Sequence, residues 1–122
     1  MKEVCFKMVL ADKNGKIISN QAFDWHAEFS EGFAIVKLNN KFNLINQDGK
    51  LLSERWFDGC SGFSEGFAKV GLDGKWNFIN QDGSLLSGQW FDWCDTLCNG
   101  FAQVKLNGKW FKISTNGKMI RL

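Results

Sequence analysis

A chain of 122 residues is long enough for one domain with a buried core, and its formal charge of +2 falls short of the strongly basic balance that marks nucleic-acid binders. Twelve Phe, six Trp and thirteen Gly accompany no Tyr and no Pro, a mixture that suits short strands and tight turns rather than helices. No apolar run approaches the roughly 18 residues of a spanning helix, and Met1-Lys2-Glu3-Val4-Cys5-Phe6 lacks a secretory apolar core, so no membrane partner and a cytoplasmic location are expected.

In chain order, two strands are predicted first, at about residues 3–11 and 16–19. Ala34, Val36 and Leu38 then alternate with Phe33, Ile35 and Lys37, the period of two of a strand. Asn39-Asn40 follows, with Asp73-Gly74 and Asn107-Gly108 at the same place later; such pairs between alternating runs signal a type I′ hairpin turn, which needs positive φ at both central residues. A second strand is read over 41–46. The tetrad Asn46-Gln47-Asp48-Gly49 resembles a type I turn closed by a left-handed Gly. Lys50-Leu51-Leu52-Ser53 is predicted as a third strand completing a meander. The stretch from Trp56 to Gly66 is a connector whose aromatics would plug the space between neighbouring units.

The pattern then repeats. Residues 41–74 and 75–108 align without a gap and agree at 20 of 34 positions. Gly32-Phe33-Ala34, Gly66-Phe67-Ala68 and Gly100-Phe101-Ala102 hold the same register, as do Lys7, Lys41, Lys75 and Lys109. The reading is an all-β single domain, 1–122, of tandem 34-residue antiparallel β-meander repeats in about 3.5 copies: 1–40 partial, 41–74, 75–108 and 109–122 partial. A lone meander cannot bury both faces, so units stack, and an open solenoid-like array is expected; a closed propeller-like ring is the alternative.

Gly74-Lys75-Trp76, Phe78-Ile79-Asn80, Asp82-Gly83 and the run Phe63-Ser64-Glu65-Gly66-Phe67-Ala68-Lys69-Val70 together resemble the WG-repeat (KWG) family of bacterial proteins over nearly the whole chain. Where that family has Gly after the Trp, this chain has Asn43, Asn77 and Phe111. The resemblance implies a β-hairpin repeat with an interaction role and no catalytic residues to carry over.

Candidate sites are few. Catalysis would have to use the one histidine, His26, whose repeat position is held by Cys60 and Cys94 in later units; no nucleophile–base set is expected to converge, and the chain is read as not an enzyme and without a cofactor. Cys60, Cys94, Cys98 and His26 could supply zinc ligands, but paired C-x2-C spacing is missing; with Cys5, the cysteines are read as free thiols. The Lys7/41/75/109 column would track an anionic polymer; in the plainer alternative the lysine column and the Asp24/58/92 column neutralise each other, or each Asp caps backbone N–H groups in its connector. Trp76, Trp110, Trp56 and Trp90 recur and read as core, whereas Trp25 and Trp93 stand where the middle unit has Gly59. Trp25 and Trp93, with Asp24, Asp58 and Asp92, are therefore the candidate binding residues, anchoring a protein partner. The runner-up is a carbohydrate, with sugar rings stacked on the indoles and hydroxyls held by the carboxylates. Nucleic acid is not expected. Lys118-Met119-Ile120-Arg121-Leu122 has no following strand to cover it, which leaves edge-to-edge self-association open.

Overall fold

The structure, a computed structural model, describes residues 8–11 and 17–122. Among them every regular element is a strand: β1 Met8–Ala11, β2 Ile17–Phe23, β3 Trp25–His26, β4 Phe33–Leu38, β5 Lys41–Asn46, β6 Gly59–Cys60, β7 Phe67–Leu72, β8 Lys75–Asn80, β9 Trp93–Cys94, β10 Phe101–Leu106, β11 Lys109–Ser114 and β12 Met119–Arg121. No helix of the described residues is long and apolar enough to cross a membrane. The strands form four antiparallel sheets in chain order: β1-β2, β3-β4-β5, β6-β7-β8 and β9-β10-β11-β12. The array is open. Of the two leading strands predicted, residues 3–7 and 16 lie outside the described residues; β1 and β2 pair through Met8–Phe23 and Val9–Ala22.

The hairpins are where the turn chemistry puts them. Asn39 and Asn40 both take positive φ, 53° and 64°, and Asp73-Gly74 and Asn107-Gly108 follow suit, so β4-β5, β7-β8 and β10-β11 close on type I′ turns. At the longer loop, Gly49 has φ 85° and its N–H reaches the Asn46 carbonyl at 3.1 Å. The Asn46 side chain also accepts the N–H groups of Asp48 and Lys50, an Asx turn.

The predicted third strand, Lys50–Ser53, is not formed as such in the two inner units. Leu51 makes a single bridge to Ile45, the chain then swings away, and Phe57 returns to bridge Phe42. The cause is a buried amide. Asn43 donates from Nδ2 to the Ser53 carbonyl at 2.8 Å while its Oδ1 accepts the Leu44 N–H at 2.8 Å, satisfying groups that a straight ladder would have paired. Asn77 repeats this with Ser87, Gln89 and the Phe78 N–H. In the last unit Phe111 replaces the Asn, and there the segment runs on as β12, paired with β11 from Phe111–Arg121 to Ile113–Met119.

Each connector serves two sheets. Phe57 bonds Phe42 of one sheet in both directions, and two residues on, Gly59–Cys60 pair with β7 of the next. Connector aromatics fill the gaps between sheets, as predicted. Phe57 and Phe63 join Leu44, Ala68, Val70 and Ile79 in the second core; Phe91 joins Phe78, Ala102, Val104 and Ile113 in the third. Strand alternation thus feeds two cores per sheet: Leu44 and Ile45, adjacent in sequence, lie in different ones. Full burial of one such side chain contributes about 1.5–3 kcal/mol.

A second set of bonds ties the units together. Glu31 accepts the N–H groups of Glu65 and Gly66 at 2.9 Å each, and Glu65 accepts those of Asn99 and Gly100 at 3.0 and 2.7 Å. Each carboxylate therefore caps the turn one repeat ahead. Glu31, Glu65 and Asn99 all sit at positive φ, followed by a Gly at positive φ, which aims two successive N–H groups at one acceptor.

Candidate functional site

The aspartate column is structural. Asp24, Asp58 and Asp92 accept the N–H of Asn39, Asp73 and Asn107, the first central residue of each type I′ turn, at 2.8 Å. Asp58 and Asp92 also pair with the ammonium groups of Lys41 and Lys75. The lysine hydrogen bond is the main cause that holds both carboxyls below their ordinary range, and Asp58 in turn raises Lys41. Lys41 and Lys75 are thus neutralised by the aspartate column, the plainer of the two expectations, while the backbone each Asp caps is the type I′ turn and not its connector. Lys109 has no carboxylate partner among the described residues. Lys7 lies outside the described residues.

His26, Cys60 and Cys94 share one repeat position on strands of three different sheets. Among the described residues no three His, Cys, Asp or Glu side chains group to hold a metal ion. His26 Nδ1 lies 3.2 Å from the Ala27 carbonyl. Cys60, Cys94 and Cys98 are free thiols; Cys5 lies outside the described residues. Burial pushes the thiols of Cys60 and Cys94 up to about 12, where the reactive thiolate is scarce. Cys98 is exposed, unlike half-buried Cys60 and buried Cys94.

Trp25 and Trp93 are exposed on β3 and β9, with the whole β6-β7-β8 sheet between them. Gly59 explains why the middle unit has no counterpart. A Cβ at Gly59 would meet the Trp76 ring at 2.8 Å and one at Gly71 would meet it at 2.9 Å, so Trp76 lies flat across two glycines. In the last unit those places hold Trp93 and Lys105, and Trp110 is left 38% exposed with the Lys105 ammonium 5.8 Å from its ring. Trp110 is therefore not core, contrary to its repeat register. Trp76 packs against the core it shares with the next unit, and no such core covers Trp110 among the described residues. Trp56 and Trp90 do pack against cores, half-buried.

These residues join into one strip. Trp76 and Trp93 meet edge to face across two sheets, centroids 6.2 Å apart; Trp93 pairs with Lys105 across the ladder, and Lys105 with Trp110. The strip continues onto the outer face of the last sheet, where Lys112 lies over Phe101 at 4.3 Å and pairs across the ladder with exposed Ile120. Lys112 occupies the repeat position of Leu44 and Phe78, each 1% exposed, and Gln103 that of Ile35. The middle sheet carries Lys69 at the Gln103 position, its ammonium 5.6 Å from the Trp93 ring, so what the last sheet adds on this face is Lys112, a cation where both inner sheets bury an apolar side chain. The neighbouring carboxylates are engaged: Asp95 accepts the Trp93 indole N–H at 2.7 Å, Asp92 is paired with Lys75, and Glu65 caps Asn99 and Gly100.

Trp93 was legible from sequence; Lys105, Trp110 and Lys112 were not. Only Lys112 carries a signal in the repeat alignment, as a cation where both earlier units have Leu44 and Phe78; Lys105 matches Lys37 and Trp110 matches Trp76, and neither stands out. An open groove of about 560 Å³, lined in part by Arg55, Asp82 and Trp90, lies between the inner units. Its charges are of both signs.

A family model described as WG containing repeat matches residues 10–42, 44–76 and 78–110, each span ending on the aromatic of the second hairpin strand. No curated protein matches the chain.

Proposed function

The chain belongs to the family of WG-containing repeats, and from that premise we propose that it is a non-enzymatic scaffold whose repeats hold a rigid sheet face for a protein partner. The observation that carries this reading is the aromatic strip from Trp93 through Trp110 to Phe101, 46%, 38% and 39% exposed on a four-stranded sheet. Interfaces concentrate their binding energy in Trp and neighbouring apolar anchors, and side chains fixed by a sheet lose little entropy on binding. The absence of catalysis is part of the proposal: it is supported by the insulated Cys60 and Cys94 thiols and by a single His26 turned to a backbone carbonyl.

Capture from the native host followed by titration of the purified partner tests the reading. Trp93→Ala/Trp110→Ala is expected to weaken binding at least tenfold, about 1.4 kcal/mol, while Leu51→Ala/Leu85→Ala on the opposite loops leaves it unchanged. Equal losses from both pairs would refute it.

A further inference from the structure

We infer that the partner of this strip is an acidic protein segment, one in which Asp or Glu carboxylates flank apolar side chains. The inference rests on the protein-binding reading above and adds its chemistry. Two lysines carry it. Lys105 and Lys112 each stand with the ammonium over a ring, 5.8 Å from Trp110 and 4.3 Å from Phe101. That contact fixes where each charge sits while leaving it a net cation, because a ring face attracts the charge without neutralising it. Among the described residues neither has a carboxylate partner, and the carboxylates nearest along the chain are committed elsewhere.

The position of Lys112 sharpens the point. In both inner units the same site is an apolar core residue. A cation there is compatible with water or with an incoming anion, and a further sheet of the same Ala-Val-Ile character would bury it unpaired. Beside it, exposed Ile120 and Leu122 and the rings of Phe101 and Trp110 supply apolar contact. Carboxylates among apolar groups match that surface.

Other occupants fit less well. A second copy docking face to face would bring together two faces that both carry Lys105 and Lys112, and like charges disfavour that. A nucleic acid gains affinity by neutralising many phosphates, and two lysines give a salt slope of only about −1.8 on a duplex and about −1.4 on a single strand.

The test is a random peptide library displayed on phage, panned against the full chain and against Lys105→Glu/Lys112→Glu. The wild type is expected to enrich peptides with Asp or Glu next to Leu, Phe or Trp; synthesised, these should bind the reversed variant at least tenfold more weakly and lose affinity with added salt. The reversed variant should enrich Lys- and Arg-bearing peptides. Should the reversal unfold the chain, Lys105→Gln/Lys112→Gln carries the comparison, with a loss of roughly fivefold expected. Winners that need Trp110 but carry no carboxylate bias would overturn the acidic partner and leave the protein-binding reading standing. Winners indifferent to Trp110→Ala, or none at all, would overturn that reading as well. A poly(dT) oligonucleotide that binds more tightly than any peptide and is lost on Lys112→Glu would assign the strip to nucleic acid and overturn both.

Discussion

The middle sheet and the last one use the same hairpin, β7-β8 and β10-β11, in the same register, yet the outer face of one is largely covered and that of the other is exposed. In the middle sheet Phe78 faces the next unit and is buried; in the last sheet Lys112 takes that place and faces outward. Trp76 lies over Gly59 and Gly71, while Trp110 shares its row with Trp93 and Lys105. The backward faces are alike: Ala68, Val70 and Ile79 match Ala102, Val104 and Ile113. What a repeat conserves internally is the face it turns to its predecessor. The other face is free to be core or surface.

The sharpest way to break this comparison is truncation at the shared position. Phe78→Ala should cost about 3–5 kcal/mol, whereas Lys112→Ala should stay within about 0.5 kcal/mol; urea denaturation monitored by tryptophan fluorescence measures both. Comparable losses would mean the two faces are not distinct. Next in size is the buried amide. Asn77→Ala strands the Ser87 and Gln89 carbonyls and the Phe78 N–H, and should cost about 1–3 kcal/mol. Phe111→Ala, at the equivalent half-buried place, should leave β12 exchange protection largely intact if the ladder alone holds that strand.

A smaller effect is expected where the two sheets are clamped. Glu65→Gln keeps one acceptor oxygen but loses the charge and the second oxygen, so it should cost about 1 kcal/mol. Faster hydrogen exchange confined to the N–H groups of Asn99 and Gly100 would locate the loss. The smallest effect is the pH response. Asp58 and Asp92 are held below their ordinary range, so the stability they contribute is complete above that range and is lost as pH falls through their lowered values. Melting temperature followed from pH 6 to pH 2 should show this acid limb, shallower in Lys41→Met/Lys75→Met. Lys41, raised, contributes below its ordinary value and loses that as pH rises through the raised one.

Much of this was legible in the residues. Asn-Gly-type pairs located the three hairpin turns, because few sequences tolerate two successive positive φ values, and the unbroken period located the stack. The third strand was misread because Leu51-Leu52 looks apolar enough to pair, while the deciding residue, Asn43, lies ten positions from the Ser53 carbonyl it captures. Trp110 was misplaced because repeat register guarantees neither the Gly59 and Gly71 shelf under Trp76 nor the adjoining core that covers it. The Glu31–Glu65 clamp stayed hidden in a segment read as connector, although the signal was present: a Glu before a Gly, recurring at the repeat length and ending as Asn99.

The two-sheet connectors have a mechanical consequence. Since Phe57 is sewn to one sheet and Gly59–Cys60 to the next, no interior segment can peel off without ripping the seams on both sides. Unravelling should start at an extremity and advance like an opening zip, with the interior giving way last. By the same logic, splicing out a whole number of 34-residue periods leaves stitches that still meet, and cutting any other length leaves none that do.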